Sequence, residues 1–226
     1  MTMPGTLYVI ATPIGNLEDV TARALVTLQN IDLLLCEDTR VTGRLLSRYE
    51  IEVKMAPYRE DLHFKILPRI IEVLADGKNV GLVSDAGTPG IADPGFRLVR
   101  DILAKAPDTN IVPIPGASAV TTALSASGFP SDQFVFLGFP PHKKGRASFF
   151  KDALAQERTV VMYESTHRID KALTAIAEID PTRLLCVGRE LTKMFETFYR
   201  GTAPEVITAL GKTSSKGEFV IVVAGK

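Results

Sequence analysis

Short apolar and β-branched runs alternate with amphipathic stretches along the first half of the chain. The runs predict buried strands at residues 7–11, 32–36, 53–55, 79–83 and 111–113. The stretches between them predict helices at residues 21–29, 42–49, 62–75, 94–104 and 117–125. Regular alternation of strand and helix is typical of βα units, so this half predicts a mostly parallel sheet with helices on both faces.

The pattern changes at the turn-rich segment "SGFPSDQF" (127–134), which predicts a domain boundary, giving α/β domains at 1–128 and 129–226. In the second domain we predict strands at 134–137, 159–163, 184–188, 197–200 and 218–223, and helices at 146–156, 169–177 and 204–210. No helical pattern separates the two strands between residues 184 and 200. The second sheet is therefore predicted to be mixed.

The composition argues against several classes of protein, among them membrane-spanning and metal-binding proteins. The chain has 226 residues, 46% of them hydrophobic, and equal numbers of basic and acidic residues, so no overall field attracts it to nucleic acid or an anionic membrane. Cys36 and Cys186 lie in apolar runs and are expected to be buried and reduced. The three histidines form no metal-binding pattern, and no run has the length of a membrane span. We expect a cytoplasmic protein without a metal.

Three unusual loops follow predicted strands of the first sheet: "ATPIGNLED" (11–19), "SDAGTPGIADPG" (84–95) and "PIPGASAV" (113–120). Ligands of open α/β sheets bind at the carboxyl ends of the strands, where glycine lets the backbone approach and proline fixes the loop. Asp93 before Pro94 is typical of a helix cap, whereas Asp85 lies at a strand end, away from any helix it could cap. No G-x-G-x-x-G follows the first strand, which excludes the usual dinucleotide fingerprint.

Longer motifs add a resemblance. Seven stretches, spread along nearly the whole chain, resemble the tetrapyrrole-methylase-like S-adenosylmethionine-dependent methyltransferases. They are "LYVIATPIGNLEDVTARAL", "CEDTRVTGRLL", "LVSDAGTPGIADPG", "IPGASAVTTALSASGFP", "GFPPHKKGR", "VMYESTHRI" and "GRELTKMFET". They are most similar to the branch that 2′-O-methylates a cytidine of 16S ribosomal RNA on the small ribosomal subunit. Tetrapyrrole methylases carry a first loop like G-A-G-P-G-D; the "ATPIGN" found here favours the ribosomal RNA branch. Chains of this branch commonly continue for some tens of residues beyond a segment like "GEFVIVVAG".

The resemblance implies two domains with S-adenosylmethionine in the cleft between them, usually in a homodimer. The implied cofactor residues are Pro13, Gly15, Ser84, Asp85, Ala86, Gly87, Gly116, Ser118, Ala119, Met162, Tyr163, Glu164, Gly217, Glu218 and Phe219. Met162 and Tyr163 lie in a predicted strand, where such residues are as often part of the core.

A ribose hydroxyl is a weak nucleophile, so a nearby base would help to remove its proton. The candidates are Asp85 and, second, Glu37 or Asp38 of "CEDTR", which could equally cap the helix that follows; positioning alone could also supply most of the acceleration. Candidate RNA contacts, each of which could also be a solvated surface charge, are Lys143, Lys144 and Arg146 in "PHKKGR", and Arg40 and Arg44, which share a helix face with Arg48.

Two other functions remain open at this point. The acceptor could be a tetrapyrrole or a protein side chain instead of RNA. The chain could also be a non-catalytic ribosome-binding module that keeps the fold, although a scaffold has little need of three such irregular loops.

Overall fold

The computed structural model describes residues 3–226, which fall into two units. The first unit ends at Ser118 and the second runs from Ala119 to Lys226. The division lies earlier than the turn-rich segment indicated, because the helix that starts at Ala119 packs on the strands of the second unit. No helix among the described residues is long and apolar enough to cross a bilayer.

The first unit is built around a parallel sheet of five strands. The strands are β1 (Thr6–Ile10), β2 (Leu33–Cys36), β3 (Met55–Pro57), β4 (Val80–Leu82) and β5 (Asn110–Ile114), and their order across the sheet is β3-β2-β4-β1-β5. The helices are α1 (Ala22–Asn30), α2 (Thr39–Arg48), α3 (His63–Ala75) and α4 (Gly95–Lys105). Short 3₁₀ turns cover Leu17–Asp19 and Glu60–Leu62.

Helices cover both faces of this sheet, as predicted. Successive residues of β2 point to opposite faces: Leu34 packs with α1 and α2, and Leu35 packs with α3 and α4. Burial on both faces explains why the strand reads "LLLC", with no polar alternation. The sheet is therefore a fixed platform whose carboxyl edge carries the loops.

Two elements of the first unit differ from the predicted bounds by more than one residue. β3 pairs through Met55–Pro57 rather than 53–55; the Leu34 N–H donates to the Lys54 carbonyl, so the ladder begins only after Val53, which packs in the core. Helix α2 begins at Thr39, before the predicted residue 42, because the Asp38 carboxylate accepts the Arg40 N–H and caps the first turn.

The second unit holds a mixed sheet, also as predicted. Its strands are β6 (Phe134–Phe136), β7 (Thr159–Ser165), β8 (Leu184–Arg189), β9 (Thr197–Thr202) and β10 (Glu218–Val223), in the order β6-β7-β10-β8-β9. Only β6 and β7 pair in parallel. The helices are α5 (Ala119–Ser127), α6 (Arg146–Leu154), α7 (Ile169–Ile179) and α8 (Ala203–Gly211). Helices α6, α7 and α8 enclose one core with β7, β8 and β10, and α5 packs on β10.

Candidate functional site

The loops after β1 and β4 are joined by their backbones. Thr12 and Gly87 form an antiparallel bridge, with N···O distances of 2.9 and 3.0 Å in the two directions. The Thr12 hydroxyl also donates to the Ser84 carbonyl at 3.2 Å, and the buried Ser84 hydroxyl donates to the Ala86 carbonyl at 3.3 Å. The loops are therefore rigid before any ligand arrives.

Two glycines make this close approach possible. Gly87 has φ of +81°, in the left-handed region that side chains rarely adopt. At Gly116, in the loop after β5, a Cβ atom would lie 2.9 Å from the Ala11 Cβ, which is closer than real Cβ contacts. The predicted loops thus form a cradle of backbone groups at the carboxyl edge, which suits a ligand recognised by backbone N–H and C=O groups.

Carboxylates connect the loops that follow the neighbouring strands β2 and β4. The Asp38 N–H donates to Asp85 Oδ1 at 3.0 Å, and in return the Asp85 N–H donates to the Glu37 carboxyl. Two of the three candidate bases, Glu37 and Asp85, are therefore positioned by each other's loop. The third, Asp38, contributes its backbone to the same arrangement.

Glu37 forms a carboxyl–carboxyl pair with Asp93, the residue at the end of the 84–93 loop. Its hydrogen bond to Asp93, together with burial and the charges of Asp93 and Asp85, raises the pKa of Glu37 from 4.5 to about 8. Asp93 Oδ1 in turn accepts the N–H groups of Gly90 at 2.6 Å and Gly95 at 2.7 Å. Asp93 therefore has the predicted structural role at the start of α4, and its carboxylate also accepts the hydrogen bond of the Glu37 carboxyl.

Asp38 is committed to structure. Its carboxylate caps α2 and forms an ion pair with Arg40, with 2.6 Å between Asp38 Oδ2 and Arg40 Nη2. These bonds hold the pKa of Asp38 well below its usual range. No cation lies within ion-pair distance of Asp85 among the described residues, so Asp85 is the better-placed proton acceptor of the three.

The carboxylates face a cavity of about 660 Å³ within the first unit. That volume is in the range of small-molecule sites. The lining residues are Glu37, Asp38, Thr39, Arg40, Pro57, Arg59, Asp85 and Pro94. Pro57 ends β3 and Arg59 follows it; the sequence does not predict either as a site residue, because a three-residue strand gives little pattern. One cavity is therefore lined both by Asp85, which can accept a proton, and by two cations, Arg40 and Arg59.

In the second unit, three of the seven predicted cofactor residues are buried, namely Met162, Glu164 and Phe219. Met162 and Phe219 are part of the hydrophobic core, with 0% and 2% exposure. Tyr163 is half-buried and contacts the rings of Phe136 and Phe139. Gly217 exchanges backbone hydrogen bonds with the Thr166 hydroxyl, and Glu218 Oε2 binds Lys193 Nζ at 2.8 Å. Met162 and Phe219 could meet a cofactor only through their backbone groups.

Glu164 lies at the centre of a buried Arg–Glu–Arg cluster. Its oxygens bind Arg146 Nη2 at 3.1 Å and Arg168 Nε at 2.9 Å, and its side chain is fully buried. The two arginines also donate to the carbonyls of Pro141 and Pro140. Arg146, predicted as an RNA contact, is thus used to fasten the 138–145 loop. Lys143, Lys144, Arg40 and Arg44 remain exposed.

The first unit also contains a buried series of hydrogen-bonded side chains that the sequence does not predict. Tyr58 Oη lies 2.8 Å from His63 Nδ1, and His63 Nε2 lies 2.8 Å from Asp101 Oδ2. Burial is the main cause that raises the pKa of Tyr58 to about 12. No local pattern links three residues on different elements, so only the fold reveals them. No cluster of metal-ligating side chains occurs among residues 3–226.

Comparisons with known proteins agree with this fold. Residues 6–207 match the family model of tetrapyrrole (corrin/porphyrin) methylases. Ribosomal RNA small subunit methyltransferase I of Neisseria meningitidis serogroup B is 46% identical over 222 residues, covering 97% of this chain and 76% of that protein. The protein of that name from Thermotoga maritima is 41% identical over 98% of this chain and 99% of its own. A solved cobalt precorrin-4 methyltransferase shares the fold, with a TM-score of 0.70 at 17% identity, covering 97% of this chain and 94% of that one.

Proposed function

The chain belongs to the tetrapyrrole (corrin/porphyrin) methylase family, among the proteins named ribosomal RNA small subunit methyltransferase I, and on that premise we propose that it transfers a methyl group from S-adenosylmethionine to the 2′-hydroxyl of a cytidine in 16S ribosomal RNA. The observation that carries the proposal is the 660 Å³ cavity in which Asp85 faces the same space as Arg40 and Arg59. A ribose needs a proton acceptor and its phosphates need cations, and this cavity offers both.

S-adenosylmethionine, when bound, supplies the electrophilic methyl group. The backbone cradle of the first unit supports its binding, because Gly87 and Gly116 leave room only for backbone between the loops. We assign the contacts in this unit to Pro13, Gly15, Ser84, Asp85, Ala86, Gly87, Gly116 and Ser118. In the second unit we assign them to Ala119, Met162, Tyr163, Glu164, Gly217, Glu218 and Phe219.

Asp85 orients the 2′-hydroxyl and accepts its proton in this proposal. Glu37 is a poor acceptor at neutral pH because its raised pKa keeps it protonated, so it serves instead as a hydrogen-bond donor to Asp93. Asp38 is held by Arg40 and by its own helix. The remaining task of the site is to align the hydroxyl with the methyl group.

RNA contact is assigned to cations on both units. Arg40 and Arg59 line the cavity itself. Arg44 on the first unit and Lys143 and Lys144 on the second are exposed and available to phosphates, and Arg146 orders the loop that carries the two lysines. Since the chain has no net charge, we propose that it recognises a shaped site on the assembled small subunit in the cytoplasm, as a homodimer.

The test is transfer of radioactive methyl groups to small ribosomal subunits that lack the modification. A 2′-O-methyl group blocks alkaline cleavage after its nucleotide, so the product position can be read from the missing band in the hydrolysis ladder. We expect Asp85→Asn, which keeps an acceptor oxygen in the same place, to weaken S-adenosylhomocysteine binding in calorimetry far less than it lowers kcat, which should fall about 10²-fold or more. Asp108→Asn, at the opposite edge of the sheet, should behave as wild type. Transfer to porphyrinoid precursors, with none to subunits, would refute the proposal.

A further inference from the structure

A second cavity adjoins the carboxylate cavity on the first unit. It measures about 430 Å³, and Pro94 lines both. Asp93, which binds Glu37 in the first cavity, also lines the second. The two cavities are therefore neighbouring compartments separated by the Asp93–Pro94 segment.

An exposed aromatic ring forms one wall of this second cavity. Phe96 lies in the first turn of α4 and is 51% exposed. The Arg97 guanidinium carbon lies 6.0 Å from the centroid of the Phe96 ring, and Arg97 Nη2 binds Glu60 Oε1 at 2.7 Å. An open aromatic face with a guanidinium beside it is the combination on which unstacked nucleobases rest in proteins that bind single strands.

The wall between the cavities is rigid. Asp93 Oδ1 fixes the backbone at Gly90 and Gly95, which lie on either side of it. Ala92 has φ of +57°, an unfavourable conformation for a residue with a side chain. Such strain persists only where the surroundings hold it, and it concentrates at binding sites. The backbone from which the Phe96 side chain extends is thus fixed to Asp93, the partner of Glu37.

We propose that the second cavity binds the base of the nucleotide next to the acceptor, stacked on Phe96, with Arg97 at its phosphate. The inference rests on the proposed function, since it needs an RNA acceptor in the carboxylate cavity. It adds a requirement of its own: the acceptor must lie in a stretch of at least two unpaired nucleotides, because a base in a duplex cannot reach the ring.

Steady-state kinetics with unmodified small subunits give the first test. Loss of a stacked base should raise the KM of Phe96→Ala for subunits about tenfold, with little change in kcat, and Phe96→Tyr should restore the wild-type KM. Phe64→Ala is the matched control, because Phe64 is 73% exposed on the same unit and lines neither cavity. A KM for Phe96→Ala equal to that of wild type would overturn the inference. The inference would also be overturned if Phe96→Ala changed the oligomeric state of the protein and left its KM for subunits unchanged.

The second test does not depend on catalysis. The chain has no tryptophan, so Phe96→Trp introduces a single tryptophan, whose emission can be excited apart from that of the five tyrosines. A short single-stranded oligoribonucleotide containing the target cytidine should quench it saturably, and the same oligonucleotide without the neighbouring base should not. Phe64→Trp should stay unquenched. Equal quenching at both positions, or none at residue 96, would refute base stacking. If wild type failed to methylate subunits while residue 96 was still quenched, the proposed reaction would fail and the RNA site would stand.

Discussion

The hydrogen bond between the Glu37 and Asp93 carboxyl groups leads to a quantitative prediction about stability. The pKa of Glu37 is about 8 in the fold against 4.5 ordinarily. A carboxyl group with a raised pKa binds its proton more tightly when folded. Its contribution is therefore complete below about pH 4.5 and is lost as the pH rises through 8. Glu37→Gln keeps a hydrogen-bond donor to Asp93 and removes the ionisation, so this loss should disappear.

The size of the effect follows from the same pair of pKa values. One pKa unit corresponds to about 1.4 kcal/mol, which gives an upper bound near 5 kcal/mol. Glu37 is only partly buried, so water screens the interaction and about 1–2 kcal/mol is a realistic figure. For a chain of this length that is a shift of roughly 3–6 °C in melting temperature.

The assay is thermal unfolding of wild type and Glu37→Gln between pH 4.5 and pH 9. The two proteins should melt together at the acid end, and the variant should melt higher from about pH 8 upward. Glu52→Gln, an exposed glutamate on the same unit, is the control and should follow wild type throughout. Parallel melting curves for Glu37→Gln and wild type at every pH would show that Glu37 does not hold a proton in the fold.

Two further substitutions test the cradle and the buried ion cluster. Gly116→Ala places a Cβ atom 2.9 Å from that of Ala11, so we expect a loss of about 1–3 kcal/mol and weaker S-adenosylhomocysteine binding in calorimetry. Gly211→Ala, with no atom near the added methyl group, is its control, and unchanged binding in Gly116→Ala would contradict the close packing. Glu164→Gln leaves Arg146 and Arg168 without their counter-charge, so unfolding should become easier by about 3 kcal/mol, seen in thermal melts. Glu178→Gln, exposed on α7, should melt as wild type does, and equal melting of the two variants would argue against the cluster.

Local patterns predicted the architecture well because each strand carries its own signal. β10 was predicted at its observed bounds, and β7 was missed by only two residues at its end, since both are apolar, β-branched runs. β3 was the exception. Its three residues, "MAP", have no pattern, and its register depends on backbone bonds to β2.

The sequence likewise predicts one part of the candidate site and does not predict the other. The glycine-rich loops and Asp85 could be identified from the sequence, because irregular loops at strand ends are themselves a local signal. The partners of these residues could not. Asp93 comes 56 positions after Glu37 in the sequence, and Arg146 meets Glu164 from another element, so only the folded chain brings these pairs together. Phe96 was read only as part of an amphipathic helix, and its exposure is a property of the surface.

The bridge between Thr12 and Gly87 has a thermodynamic consequence for any ligand of the cradle. Ordering a loop residue costs about 1–2 kcal/mol, and in this unit much of that ordering takes place when the chain folds. A ligand that meets already immobile amides loses little affinity to their ordering, so binding should be fast and the bound and free loops should superimpose. The site is then preorganised, and its affinity for a ligand depends on the stability of the parallel sheet that holds the loops in place.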